Sequence, residues 1–142
     1  MNGTVESLKG MIDNKAKVIL HLVKKFADQN YKKIMDISYV SKQFNELVEA
    51  SAQASCIDEF KLYIRYKGAK EGSRNLWSSI SIPFNATVDE LMNDVANVII
   101  NEYKAANDNA KDEESIKLAV LNRFCGYLFW RVHADVSEKG GR

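Results

Sequence analysis

The chain has 142 residues, of which 46% are hydrophobic and 10% aromatic, with only one proline. This composition is typical of a folded domain, and it excludes disordered and collagen-like chains. The 20 Lys and Arg side chains nearly balance the 19 Asp and Glu, which excludes a uniformly basic nucleic-acid coat but allows local basic patches. A chain of this length buries about 68% of its unfolded surface, so we expect a single domain over residues 1–142 that needs no disulfide or metal.

The first part of the chain predicts two amphipathic helices. From Thr4 to about Asn30, apolar residues return every three or four positions, which is the spacing of one helix face. Thr4 can cap the first turn. A second helix is expected to begin near Ser38 or Ser41 and to fade in the small polar run at residues 51–55.

The segment between the second helix and Pro83 fits two structures. From Phe60 to Tyr66 apolar and polar side chains alternate, as they do in a strand. Yet Ile57 and Ile64 share a helical face with Phe60. We favour a helix, because its neighbours are helical and because Pro83 would stop the only short candidate for a partner strand.

An irregular loop around residues 71–86 and two further helices complete the predicted fold. Thr87 and Glu90 have the spacing of a capping box, which predicts that a helix begins at Thr87. Acidic residues at 112–114 precede the last helix, where negative charge stabilises the helix dipole. A disordered tail is expected at residues 137–142. The predicted fold class is therefore all-α, a single bundle of about five helices.

Neither secretion nor a membrane span is expected. Residues 1–6 contain no positive region followed by an apolar run, so they do not have the pattern of a signal peptide. The most apolar segment, residues 118–132, would span about 22 Å as a helix, against about 30 Å for a bilayer core. Cys56 and Cys125 form no C-x-x-C pair, and we expect reduced, buried thiols in a cytoplasmic protein.

Few groups that could catalyse a reaction are present. His21 and His133 are the only histidines, and neither has a second histidine or a cysteine three or four positions away, as a metal pair on a helix would need. No phosphate-binding glycine loop and no nucleophile elbow occurs. We therefore expect a protein that is not an enzyme and that has no cofactor, metal or small-molecule substrate.

Positive charge is concentrated in two short stretches. From Lys61 to Arg74, five cations meet one acidic residue among several aromatic side chains. Arg123 and Arg131 lie on roughly one side of an otherwise apolar helix, in which Gly126 predicts the close approach of another helix. Such patches suit an anionic polymer, because cations bind phosphates and flat rings stack on bases. A solvated helix face or the edge of the core would explain the same residues, and these alternatives stay open.

Two stretches resemble a known protein family. Leu62–Lys70, LYIRYKGAK, resembles the helix-ending element of the small helical, Csm-type subunit of type III CRISPR RNA-guided effector complexes. Arg123–Arg131, RFCGYLFWR, resembles the closing helix of the same subunits, and Val40–Glu49 is similar to their first core helix in a looser way. The long acidic helix expected at Asp89–Glu102 departs from the family pattern.

The resemblance implies a non-catalytic, all-helical subunit of a ribonucleoprotein complex for antiviral defence. Such a subunit packs against other protein subunits, including copies of itself, and contacts the RNA backbone of guide or target through basic side chains. Lys61 and Arg74 extend the patch on charge grounds alone. The predicted RNA-binding residues are Lys61, Arg65, Lys67, Lys70, Arg74, Arg123 and Arg131.

A protein–protein interaction module is the alternative function. From residue 85 to residue 114, eight acidic side chains meet two lysines. The acidic helix of one copy could therefore meet the basic flank of another. In this alternative the chain self-associates and binds no nucleic acid.

Overall fold

The computed structural model describes residues 7–70, 77–106 and 113–140, and these residues contain helices and no strand. This confirms the all-α class and shows that Phe60–Tyr66 is helical. The helices are α1 (Leu8–Asn14), α2 (Ala16–Gln29), α3 (Tyr31–Met35), α4 (Val40–Gln53), α5 (Ile57–Ala69), α6 (Trp77–Leu91), a π-helical turn (Met92–Ala96), α7 (Asn97–Ala106) and α8 (Glu113–Gly140). Because α6, the π-helical turn and α7 are continuous, the described residues form seven uninterrupted helices rather than about five.

The long helix α8 packs against α2 and α4, while α5 packs against α6. Helices α4 and α8 are antiparallel: Asn122 bonds Ser51 near the end of α4, whereas His133 bonds Ser41 near its start. Phe84 lies in the middle of the core, with its ring centroid 5.3–6.2 Å from four other aromatic rings. One continuous apolar core therefore holds the helices together.

Residues 77–86, predicted to belong to an irregular loop, are helical in the structure. Pro83 lies inside α6, where it removes one backbone hydrogen bond and would normally break the helix. However, Trp77, Ile80 and Phe84 are almost completely buried on one face of α6. Burial of an amphipathic face supplies most helical stability in proteins, so it outweighs the cost of the proline. The rest of the predicted loop, residues 71–76, lies outside the described residues.

The prediction that a helix begins at Thr87 is wrong. Thr87 lies in the interior of α6, and its hydroxyl donates to the carbonyl oxygen of Pro83 at 2.9 Å. Glu90 accepts a hydrogen bond from Lys25 of α2 at 3.0 Å instead of one from the backbone at Thr87. A threonine that bonds the carbonyl four residues earlier is typical of a helix interior.

Helix boundaries differ from the predicted ones at both ends of the chain. Ser7 caps α1 by accepting a 3.0 Å bond from the backbone N–H three residues later, while Thr4 lies outside the described residues. Lys15 is not helical and separates α1 from α2, so the first predicted helix is two helices. At the other end α8 reaches Gly140. Residues 137–140 of the predicted tail are therefore helical, and its last two residues lie outside the described ranges.

Close helix packing occurs at Gly68 rather than at Gly126. A Cβ atom at Gly68 would lie 2.5 Å from the hydroxyl oxygen of Ser81 and 3.3 Å from the carbonyl oxygen of Trp77. Glycine therefore lets α5 and α6 approach closely. A Cβ atom at Gly126 would meet no atom within 4 Å, so the predicted approach of another helix there is wrong for the described part of the chain.

The structure also bears on two predictions from composition. No helix in the described ranges combines the length and the apolar character needed to cross a membrane. Cys125 is buried and Cys56 is partly exposed, and both are free thiols, so the expected burial holds for Cys125 only. Burial raises the pKa of the Cys125 thiol to about 12, although a hydrogen bond with Ser51 acts in the opposite direction.

Candidate nucleic-acid interface

The cations predicted to bind RNA do not form one continuous surface. Three belong to α5, which packs on α6, and two belong to α8, which packs on α2 and α4. Arg74 lies outside the described residues. The α5 cations are Lys61, Arg65 and Lys67, Lys70 directly follows α5, and the α8 cations are Arg123 and Arg131.

Both α8 arginines are bound by carboxylates of the same chain. Arg123 donates to Asp13 of α1 at 2.7 Å. Arg131 donates to Asp28 of α2 at 2.7 Å and to Asp135 at 2.6 Å. Burial alone would lower the pKa of each guanidinium, but the hydrogen bonds outweigh this effect and raise it. These arginines therefore link α8 to α1 and α2 through ion pairs within the chain.

Lys61 and Arg65 differ in whether they form an ion pair within the described part of the chain. Lys61 forms an ion pair with Asp89 of α6, with a nitrogen–oxygen distance of 2.6 Å. Arg65 is exposed and forms no ion pair with any described residue. However, side chains two positions apart on a helix do not face each other, so Arg65 does not share a surface with Lys67. The predicted patch on α5 is thus divided between different sides of the helix.

Lys67 is largely buried, with 8% of its surface exposed. Its ammonium lies 5.0 Å from the ring centroid of Trp77 and 5.5 Å from that of Tyr63, within the range of cation–π attraction. A carboxylate oxygen of Glu46 is 4.0 Å from this ammonium. Burial lowers the pKa of Lys67, and the charge of Glu46 opposes this shift. Lys67 therefore has a structural role between α4, α5 and α6.

Lys67 and Lys70 lie close to two residues that the sequence analysis missed. A depression of about 320 Å³ is lined by both lysines, by Tyr39 and Lys42, and by Gln43 and Glu46 of α4. The described part of this lining thus contains three lysines and one glutamate. Lys42 is exposed and has no ion-pair partner among the described residues. This depression is the most basic of the surfaces that contain predicted RNA-binding residues, and we call it the basic depression.

A second depression, of about 560 Å³, shares Tyr39 and Lys42 with the basic depression. Lys139 of α8 adds another lysine to its lining. Its remaining lining is mainly apolar, and we call it the apolar depression. The apolar side chains are those of Met35, Ile37, Val40 and Val136.

Tyr39 has an unusual backbone conformation. Its φ of 55° and ψ of 42° place it in the left-handed region, directly before α4, and 83% of its surface is exposed. A residue with a Cβ atom in this conformation costs about 1–2 kcal/mol relative to the right-handed one. No sequence pattern marks this position, because the strain arises where α3 and α4 are joined.

A different surface combines exposed apolar side chains with Arg131 of α8. Trp130 is 67% exposed and Leu20 is 47% exposed. Together with Val23 and Tyr127 they line a depression of about 380 Å³ between α2 and α8. The rings of Tyr127 and Trp130 are in contact, with centroids 5.6 Å apart. We call this surface the Trp130 face.

The acidic helix expected to mediate self-association is largely neutralised within the chain. Asp89 pairs with Lys61, and Glu90 pairs with Lys25 at 3.0 Å. Glu102, on α7, pairs with Lys15 at 3.4 Å. Three carboxylates between residues 89 and 102 therefore form ion pairs within the chain.

The described residues contain no group of three or more side chains that could hold a metal ion. No protein-family model matches this chain, and no curated protein or solved structure matches it significantly. The resemblance to small CRISPR subunits therefore stays a prediction that depends on the two stretches quoted above.

Proposed function

We propose that this protein is a non-catalytic subunit that contacts the backbone of RNA with the end of the bundle around Tyr39. The observation that carries the proposal is the convergence of Lys42, Lys67 and Lys70 on one depression. The family resemblance further suggests that the RNA belongs to a type III CRISPR RNA-guided effector complex, with this chain as its small subunit. In that complex it would pack against other protein subunits, including copies of itself.

Contact of this kind is electrostatic and independent of sequence. Lysines that neutralise phosphates release counterions, and every nucleotide presents the same phosphate. Among the residues predicted from the sequence, we assign RNA contact to Lys70. We add Lys42, which was not predicted. The buried Lys67 adds positive charge to the same depression. Lys61, Arg123 and Arg131 do not line this depression, and they bind carboxylates that join α5 or α8 to other helices. We therefore assign a structural role to these three.

The test is RNA binding by nucleic-acid-free protein, measured by fluorescence anisotropy with short oligouridylate at several salt concentrations. The variant Lys42→Glu/Lys70→Glu reverses two charges at the basic depression. A matched control, Lys17→Glu/Arg65→Glu, reverses two exposed charges elsewhere and changes the net charge equally. We expect the first variant to lower the slope of log affinity against log salt by about 1 per lysine, and the control to leave it nearly unchanged. An equal effect of both variants would contradict the assignment, because net charge alone would then explain binding.

A protein–protein interaction module is the second candidate, and the Trp130 face favours it. Trp, Tyr and Arg are the residues that dominate binding energy at interfaces, and Trp130 is exposed beside Tyr127 and Arg131. Sedimentation velocity of the nucleic-acid-free protein distinguishes the candidates. Concentration-dependent dimers that Trp130→Ala abolishes, together with no detectable RNA binding, would support this second function over the first.

A further inference from the structure

We infer that the surface around Tyr39 binds a nucleotide unit, with an unpaired base stacked on the Tyr39 ring and its phosphate on Lys42. The inference deepens the proposed function and rests on it for the choice of RNA over a free nucleotide. It adds Tyr39 and a stacking contact with a base, which the electrostatic proposal does not require. It also predicts a preference for single strands that lysines alone would not produce.

The two depressions share Tyr39. Both Tyr39 and Lys42 line the basic depression and the apolar depression. A strand that occupies both depressions would therefore run past Tyr39. Because Lys42 belongs to both linings as well, a base stacked on the ring would have a lysine beside it.

The two depressions differ in chemistry, as the base of a nucleotide differs from its phosphate. The apolar depression is lined by side chains such as Met35, Ile37 and Val136, which suit the flat face of a base. The basic depression carries Lys67 and Lys70 in addition to Lys42, which suits phosphates. The volumes of about 560 Å³ and 320 Å³ lie in the range of known ligand sites, which is about 300–1,000 Å³.

Tyr39 is an exposed aromatic residue. Tyr39 leaves 83% of its surface in water, so the packing of the bundle does not explain an aromatic residue here. A left-handed position is most readily occupied by glycine, and strained residues of this kind cluster at binding sites. Aromatic rings exposed beside cations are the stacking platforms of single-strand binding proteins, and stacking tolerates any base.

The experiment compares four probes by fluorescence anisotropy: oligouridylate, a strand of the same length without bases, a duplex of the same length, and a nucleoside monophosphate as competitor. The variants are Tyr39→Ala and, as the conservative control, Tyr39→Phe, which keeps the ring. We expect Tyr39→Ala to weaken binding of oligouridylate about 5-fold or more, with an unchanged salt slope. Tyr39→Phe should bind like the natural protein. The strand without bases should bind equally to the natural protein and to Tyr39→Ala.

A spectroscopic variant keeps the test decisive if Tyr39→Ala folds poorly. Tyr39→Trp in a Trp130→Phe background leaves an exposed indole at position 39 and only the buried Trp77 besides it. Stacking of a base on the new indole should quench its fluorescence on addition of oligouridylate. The strand without bases should cause no quenching, and quenching by both strands alike would overturn the inference.

The outcomes separate the inference from the proposed function. Equal binding of oligouridylate by the natural protein and Tyr39→Ala would overturn the inference, while a lower salt slope for the lysine variant would still support RNA contact. A duplex that binds as tightly as the single strand would also overturn it. A nucleoside monophosphate that binds as tightly as the strand, and depends on Tyr39, would support the inference but overturn RNA as the ligand. No binding of any probe would overturn both.

Discussion

Two regions combine cations with aromatic rings, and they differ in what the neighbouring helices bring to them. At the Trp130 face, α2 supplies Asp28, which binds Arg131, and in the neighbouring depression that Trp130 also lines, Asp13 of α1 binds Arg123. At the basic depression, the lining residues that the structure describes include one acidic residue, Glu46, and three lysines. The pairing of the α8 arginines thus depends on the carboxylates of neighbouring helices, and a local charge pattern does not reveal them.

Substitution of Lys67, the buried lysine of the basic depression, is expected to have the largest effect on stability. Lys67→Glu would bury a carboxylate beside Glu46 in place of the ammonium. We expect the free energy of unfolding to fall by about 3–5 kcal/mol, as when one partner of a buried pair is lost. The matched variant Lys67→Met removes the charge but keeps the stem, and it should change stability by less than about 1 kcal/mol. Urea denaturation measures both, and equal stability of Lys67→Glu and the natural protein would contradict the buried position.

The pH dependence of stability offers a second measure of the same side chain. Because the pKa of Lys67 is lowered in the folded protein, the unfolded chain binds more protons just below the ordinary lysine pKa of 10.5. The contribution of Lys67 to stability should therefore rise with pH towards that value. Lys67→Met should lose this rise in thermal unfolding curves recorded between neutral and alkaline pH. An identical alkaline profile for both proteins would contradict the shift.

Gly68 lies at a tightly packed helix contact, whereas Gly126 lies beside open space. Gly68→Ala places a Cβ atom 2.5 Å from the Ser81 hydroxyl oxygen, and overpacking of this kind costs about 1–3 kcal/mol. Gly126→Ala meets no atom within 4 Å, and it should stabilise α8 by about 1 kcal/mol. Thermal unfolding of the two variants should therefore shift the Tm in opposite directions. A lower Tm for Gly126→Ala would show that the space beside Trp130 is filled.

The strain at Tyr39 predicts a smaller gain in stability. Tyr39→Gly relieves the left-handed Cβ penalty, although glycine loses more backbone entropy on folding. We expect the free energy of unfolding to rise by about 0.5 kcal/mol from the balance of these effects. Tyr39→Ala keeps the Cβ atom and should show no gain. Urea denaturation checks both variants, and a stability loss in Tyr39→Gly would mean that the ring contributes to the fold.

The smallest effect concerns the carboxylates that bind the α8 arginines. Hydrogen bonds from Lys9 and Arg123 lower the pKa of Asp13, and those from Lys24 and Arg131 lower the pKa of Asp28. Their stabilising effect is present above the ordinary pKa of 3.8 and is lost as pH falls through the lowered values. The variant Asp13→Asn/Asp28→Asn should therefore show a weaker loss of Tm between pH 5 and pH 2 than the natural protein. Parallel acid profiles would contradict these ion pairs.

The sequence predicts the elements of this fold better than their ends. The apolar spacing of Ile57, Phe60 and Ile64 correctly indicates that α5 is a helix, because burial of that face decides its structure. Pro83 and the Thr87–Glu90 capping pattern mislead because packing against the core keeps the helix continuous through both. Local signals such as these are outweighed when an entire face is buried.

The candidate site was predictable only in part. Lys70 follows from the charge pattern of α5, and it lies at the basic depression. Lys42 and Tyr39 are not predictable in the same way, because they reach the depression from the start of α4 and their local sequence carries no charge cluster. The pairing of Arg123 with Asp13 depends on a contact between α1 and α8, and no local pattern contains such a contact.

The central claim is that the positive charge able to bind RNA lies around Tyr39 and not on α8. Its most direct test compares the salt slope of RNA binding for Lys42→Gln/Lys70→Gln with that for Arg123→Gln/Arg131→Gln, since each variant removes two positive charges. We predict that the lysine variant lowers the slope by about 1 for each charge removed, whereas the arginine variant keeps the natural slope. A lower slope for the arginine variant, with no change for the lysine variant, would contradict the account.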